Sequence, residues 1–440
     1  MASLDTSQME KLVDPLWRAE IEETDKVSAP FMDWLDKRPG ENANILGQKV
    51  KVRVGYNESE SGSSFNGGSI AIGGSSQFEN IFIPYGTINS TGDITKEAID
   101  NDDEKSKYHP VVQEVKALMD RAMQNLNRAA VMDDGSGRRA IVTANYSGGD
   151  ADEVVCAPNT GFGNKGTQFL GDGAGGKVVQ FCDPSTFALR VGSVTGGKVR
   201  VVANNKATGE IEVETLAGVA QAPTDIVTGD LCVPEGMAGR GVHGIEYWVK
   251  DTGSIGALAL ANHPGLKSQI VDGSSGSLMT LVEKMFSKLA NKIDEDKALG
   301  INGAEKHQIF WAPCQREKYR REAQGLGIAM LGSSEIDQGY GHTEKINGYK
   351  ATVQGDHSNT RINFLRKSDW YRIQRGKAEK PFERYSINGQ PFFNYYDGDG
   401  NPTYKLGFNI TGYFNVACKN TRDQAAITSL PTSGLETGNS

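Results

Sequence analysis

Between Lys49 and Val54 polar and apolar residues alternate strictly. Lys49, Lys51 and Arg53 fall on one face of an extended chain and Val50, Val52 and Val54 on the other. That period predicts a half-buried strand. A second β-like run from Phe78 to Tyr85 completes a hairpin. The stretch Gly55 to Ser76 between them, almost wholly Gly, Ser, Asn and Glu, is longer than a compact domain tolerates in a hairpin tip unless a partner orders it.

The period then changes to that of a helix. Val111, Val115, Leu118, Ala122, Leu126 and Ala129 step by three and four, with His109-Pro110 at the start and Gly135 able to close the run. A second apolar stripe, Leu278, Leu281, Val282, Met285, Leu289 and Ile293, follows an N-capping Ser277, and a third helix, Gln315 to Gln324, is studded with Arg and Lys. Before the hairpin, Met9, Leu12, Val13, Leu16, Trp17 and Ile21 have helical spacing, and Phe31, Met32, Trp34 and Leu35 form an aromatic arm. An arm so short has too little core of its own, so it must lie on another part of the chain or on a neighbouring molecule.

From about Ala140 to Glu235, Gly-rich turns separate short β-branched runs such as Lys198–Ala203 and Glu210–Thr215, which predicts a β-rich segment. Residues 241–330 return to mixed α and β. The last third adds strands at Arg361–Leu365 and Leu406–Ala417 before a Ser/Gly/Thr tail. The class is therefore α+β, with two or three domains expected from 440 residues of which 38% are hydrophobic.

A formal charge of −8 argues against a protein whose main task is to coat nucleic acid, which needs a surplus of cations. Cys156, Cys182, Cys232, Cys314 and Cys418 are odd in number, far apart and never in a C-x-x-C pair, so neither a disulfide framework nor a zinc ribbon is suggested and a reducing compartment is expected. The N-terminus lacks a basic start and apolar stretch, and the longest apolar run, Ile255 to Ala261, is too short to span a bilayer; no export or membrane role is expected.

Motifs that could carry chemistry fail on their context. Gly171 to Lys177 fits G-x-x-x-x-G-K, but Val178 stands where Ser or Thr would hold magnesium. Gly161 to Gly166 matches G-x-G-x-x-G with no helix to follow. Asp397, Asp399 and Asn401 begin like a calcium loop, but Pro402 and Phe408 occupy the positions of its Gly and Glu. Cys314 is read as a buried, inert thiol and not as a nucleophile paired with His307. The cations Arg361, Arg366, Lys367, Arg372, Arg375, Lys377, Lys380 and Arg384 are first of all solvated surface, and after that a face for subunits or DNA.

Three stretches carry a resemblance: Gly244-Ile245-Glu246-Tyr247-Trp248, Phe310-Trp311-Ala312-Pro313-Cys314-Gln315-Arg316, and Phe364-Leu365-Arg366-Lys367-Ser368-Asp369-Trp370-Tyr371. With the order arm, hairpin, long helix, mixed region and β-rich ending, they resemble major capsid proteins of tailed bacteriophages with the Hong Kong 97-type capsid fold. The resemblance implies an N-terminal arm (1–48), an extended loop (49–95), and a peripheral domain (96–240) with its spine helix at 105–134 and a β-rich segment at 140–235 that is long enough to hold an insertion. It also implies an axial domain (241–360) and a return to the peripheral domain (361–440). The partners implied are copies of the chain as hexamers and pentamers of an icosahedral shell, portal, scaffolding and decoration proteins, and packaged double-stranded DNA by non-specific contact. No catalytic, cofactor or metal residue is expected. Trp17, Phe31, Trp34, Lys49, Lys51, Arg53, Phe78, Phe82, Arg366, Lys367 and Arg372 are the candidate contacts between subunits.

Two departures from the founding member of that family matter. Its covalent cross-link needs a lysine on the extended loop, and none lies between Gly55 and Thr95, so a non-covalent shell is expected. Its large N-terminal scaffolding segment has no counterpart here, which implies a separate scaffold or none. An encapsulin-like compartment shell, a cytosolic hydrolase or nucleotide-binding enzyme built on a Gly-rich loop, and a tube or decoration protein are the competing expectations.

Overall fold

The computed structural model describes residues 30–38, 45–46, 49–57, 77–84, 86–95, 110–144, 153–157, 177–205, 209–292, 307–325, 343–346, 349–374, 382–385, 392–396 and 402–432. Trp17, the hairpin tip 58–76, both Gly-rich motifs before Lys177, the cluster 397–401 and the cations Arg375, Lys377 and Lys380 lie outside them.

The arm folds back as helix α1 (Pro30–Trp34) followed by Asp36–Arg38, which adds a parallel strand beside Trp370–Gln374. The long helix α2 (Pro110–Met132) buries Ala122, Leu126 and Ala129, as their spacing requires, and ends just before Gly135 in the left-handed region (φ 92°). Strands Lys49–Asn57 and Gln77–Pro84 pair antiparallel with Lys49 opposite Pro84. Helix α3 (Ile245–Trp248) is a single turn. Helix α4 (Leu278–Lys292) is capped by Ser277 Oγ, which accepts from Thr280 N at 3.3 Å, and helix α5 is Pro313–Gly325.

Two six-stranded sheets hold the main core. One is organised on the 17-residue strand Pro402–Cys418, which pairs with Gly86–Thr95, Trp370–Gln374, Phe382–Tyr385 and Phe392–Tyr396. The other runs in the order Gln269–Asp272, Ala425–Thr428, Ile362–Leu365, Gln308–Trp311, Tyr349–Val353, Thr343–Ile346, so it takes strands from both sides of residue 360.

The β-rich segment is a closed antiparallel barrel of six strands: Ala140–Ala144, Glu153–Ala157, Val178–Cys182, Val199–Asn205, Glu210–Thr215 and Leu231–Pro234. Closure leaves no strand edge. Its interior, with Val142, Val154, Val179, Phe181, Val199, Val201, Ile211 and Val213, forms a hydrophobic cluster of its own.

The three stretches that carried the resemblance meet in one place. Phe310 and Trp370 surround Phe31 edge-on at centroid distances of 5.5 and 6.1 Å, and Trp34 sits 5.1 Å from Phe310. Trp248 lies in the same cluster and donates its indole N–H to the carbonyls of His243 (3.0 Å) and Val416 (3.1 Å). Family-style patterning here is core packing. Among the described residues, no helix is long and apolar enough to cross a membrane.

Candidate functional site

The hairpin presents two different faces. Val52, Val54, Ile81 and Ile83 are buried on its inner side, where Ile81 bears on Gly256 of the turn between Ser254–Ile255 and Leu258–Ala259. Gly256 has φ +59°, and a β-carbon there would come within 2.8 Å of Ile81 Cγ2, so glycine is required on both counts. The outer side carries Lys51 and Arg53 with Phe78 and Phe82, which are 50% and 49% exposed. The Arg53 guanidinium lies 4.2 Å from the centre of the Phe78 ring, a cation–π contact that pre-positions both side chains. Two exposed aromatics among cations make an amphipathic surface of the kind that protein interfaces enrich. Lys49 takes its expected position in the strand.

The arm residues require a correction. Phe31 is fully buried and Trp34 is 8% exposed, both against this chain's own Phe310, so neither is offered to a neighbour. The alternative left open, that the arm lies on another part of the same chain, is what the structure has. Asn127 of α2 fixes it: Oδ1 accepts from the N–H of Phe31 (3.2 Å) and of Met32 (3.4 Å), and Nδ2 donates to Asp356 Oδ2 (3.0 Å). Short helices leave their first N–H groups unpaired, and a buried amide from another helix satisfies two of them.

The basic segment is corrected as well. Arg372 is 1% exposed, buried inside the sheet. Arg366 binds Asp423 (2.8 Å) and Asp369 (3.0 Å), and Arg361 bonds the Val249 carbonyl (2.5 Å) beside Glu246. Arg361 and Arg366 therefore serve internal pairs, and Lys367 is half-buried in the 3-10 turn Lys367–Asp369.

Sequence reading missed the neck that joins the barrel to the core. Asp133 is fully buried; its Oδ1 accepts from the N–H of Gly135 and Gly137 (both 3.0 Å) and its Oδ2 from that of Val242 (3.1 Å), clasping the outgoing and returning chains together. Burial holds its carboxyl at about 6, above the ordinary carboxylate range. Burial also pushes the His243 imidazole down to about 4; that ring stands edge-on to Tyr247 at 4.2 Å, and Asn415 bonds it. A concavity of about 440 Å³ opens here, lined by Asp134, Arg138, Phe187, His243 and Tyr247, but its polar groups face one another, Arg138 binding Glu246 at 2.8 Å and Asp134 at 3.1 Å. The glycine clusters Gly135–Gly137 and Gly239–Gly244 flanking the β-rich stretch were the available signal.

All five cysteines are free and buried, and Cys314 lies 3.3 Å from Asn359 Oδ1. Among the described residues no group of three or more His, Cys, Asp or Glu could hold a metal ion.

No family model and no curated protein matches the sequence. Among solved structures, the chain is similar to a subunit in the capsid asymmetric unit of cyanophage A-1(L), with a TM-score of 0.50 and 9% identity over 94% of this chain and 93% of that one. The fold is that of a phage capsid subunit. Lower-scoring likenesses are to the capsid of a native GTA particle (TM-score 0.44, 10% identity, covering 92% and 91%) and to the SrpI encapsulin of Synechococcus elongatus (0.45, 7%, 93% and 91%). Among the described residues, the two-faced hairpin is one surface that keeps large apolar side chains in solvent.

Proposed function

We propose that this chain is the major capsid protein of a tailed bacteriophage. Copies assemble as hexamers and pentamers into an icosahedral head shell around double-stranded DNA, and the chain carries out no reaction of its own. The observation that supports this most is a capsid-type fold whose hairpin keeps one apolar face on the core while holding Phe78 and Phe82 in solvent. Residues 49–95 then act as the extended loop, α2 as the spine helix and the region 241–360 as the axial domain. Each subunit makes several modest contacts, and closure of the shell makes them mutually reinforcing. Portal, scaffolding and decoration proteins are the remaining partners of such a shell.

Electron microscopy of the purified protein, alone and with a scaffold co-expressed, tests the reading. Closed shells or hexamer and pentamer rings are expected, filled with DNA in infected cells; particles packed with a protein cargo, or monomers under all conditions, would overturn it. Because the sequence from Gly55 to Thr95 has no lysine, mature particles are expected to run as single subunits on a denaturing gel.

A further inference from the structure

The inner face of the hairpin rests beside a second feature. Strand Lys49–Asn57 packs on the 3-10 turn Pro264–Leu266, and Leu266 shares the hydrophobic cluster of Val52 and Val54. Immediately after that turn opens a pocket of about 270 Å³ to which Lys267, Lys288 and Arg422 contribute three cations and Asp251 a single carboxylate.

One of the cations, Lys288, is held there by the fold. Strand Gln269–Asp272 is an end strand of its sheet, so one row of its backbone groups faces outward. Lys288, reaching over from α4, donates its ammonium to the carbonyl of Ile270 at 2.6 Å. That bond uses one of three ammonium donors and keeps the charge at the pocket. In an extended strand the N–H and C=O of one residue point the same way, so the Ile270 N–H faces the same edge. Three cationic residues and an outward N–H thus line a small space with a single carboxylate among them.

We infer that this pocket receives an acidic side chain from a second copy of the chain, clamping it next to the hairpin; the inference rests on the shell reading. Three features favour a copy of this protein over a nucleic acid. A small concavity admits a single carboxylate, whereas a phosphodiester backbone is followed along an extended track of cations. With 55 Asp and Glu against 47 Lys and Arg, each copy offers carboxylates in excess to its neighbours' few concentrated positive sites. The pocket also adjoins the turn Pro264–Leu266, on which strand Lys49–Asn57 of the hairpin packs.

Particles assembled from a mixture of ¹⁴N- and ¹⁵N-labelled subunits and treated with a carbodiimide, which joins an amine to a carboxylate in direct contact, provide the test. Mass spectrometry is expected to find Lys267 or Lys288 joined to an Asp or Glu of the opposite isotope. In parallel, Lys267→Glu, whose side chain supports no internal contact described above, is expected to leave the unfolding midpoint of the free subunit unchanged. Reversing that charge is expected to raise the protein concentration needed for assembly about tenfold, since the same clamp is weakened at every copy of a symmetric lattice. Wild-type particles with no mixed-isotope link at these lysines, or an unchanged assembly threshold for Lys267→Glu, would overturn the inference and leave the shell reading standing. The same holds for lysines that are shielded only in DNA-filled particles. Failure of the wild-type chain to form any particle would sink both.

Discussion

Asn127 and His243 are small buried groups on which larger pieces of the molecule depend. Replacing Asn127 by Ala leaves the first N–H groups of α1 without acceptors and Asp356 without one of its donors, the other being Arg128 at 2.9 Å. A buried polar group left unsatisfied costs about 1–3 kcal/mol, so Asn127→Ala is expected to lower stability by about 2 kcal/mol in chemical denaturation and to expose Phe31 and Trp34 to protease-accessible opening. His243 sets a pH dependence. Its folded value lies near 4, below the ordinary 6.5, because burial disfavours the imidazolium, so its stabilising contribution is complete above about 6.5 and is lost as pH falls through 4. A depression of this size corresponds to about 3 kcal/mol. Asp133 and Asp369, each held near 6 by burial, act in the opposite direction, their contributions being complete below the ordinary carboxylate value and lost as pH rises through 6. The difference between wild type and His243→Gln therefore isolates the histidine. Wild type is expected to lose more stability than the variant between pH 6.5 and 4, and parallel curves would rule the argument out.

At the level of elements, the hairpin connects sequence to surface most directly. Phe78→Ser with Phe82→Ser removes two half-exposed rings that face no core cluster, so the free subunit is expected to unfold at an unchanged midpoint while shell formation falls below detection in light scattering. Gly256→Val acts from the other side: a side chain in the space of Ile81, at a positive φ, is expected to destabilise the subunit itself by about 2 kcal/mol or more. The hairpin and α2 were legible because alternation and the three-to-four spacing report directly which face is buried, and the Ser277 cap was legible because a side-chain acceptor at that position acts locally. The arm was legible only as a demand for something to lie on. Its partners, Phe310 and Trp370, come from distant segments, and no local pattern says whether such partners belong to the same chain. Arg372 failed for a related reason, since a cation in sequence looks solvated until the sheet closes over it. Of the proposed contact surface, what could be read was the part governed by strand period, Lys51, Arg53, Phe78 and Phe82.

For the molecule as a whole, the barrel poses the question of autonomy. Its interior cluster is separate from the clusters that hold the two sheets, and its two connections run side by side: Gly135 N bonds the Val242 carbonyl at 3.1 Å and Gly244 N that of Asp133 at 3.0 Å. Chain entering and leaving at one point is the geometry of an insertion, since removing the barrel leaves ends already adjacent that a short loop can join at little entropic cost. Replacing residues 138–238 by a short Gly/Ser loop, with Asp133 and Gly241–Gly244 kept, is therefore expected to give a folded chain. Tryptophan fluorescence makes the outcome readable. None of the five tryptophans belongs to the deleted stretch, and Trp34, Trp248, Trp311 and Trp370 are buried in the main core, so the emission of these four reports the core. The shortened chain is expected to retain the blue-shifted emission and a cooperative denaturation transition. Its midpoint falls only as far as the neck is weakened, chiefly through the ion pair between Arg138 and Glu246. Breaking that pair leaves Glu246 facing Arg361, so the core keeps a partner for its buried carboxylate. Red-shifted emission without a transition would mean that the barrel is needed to fold the core, and the insertion reading would fail.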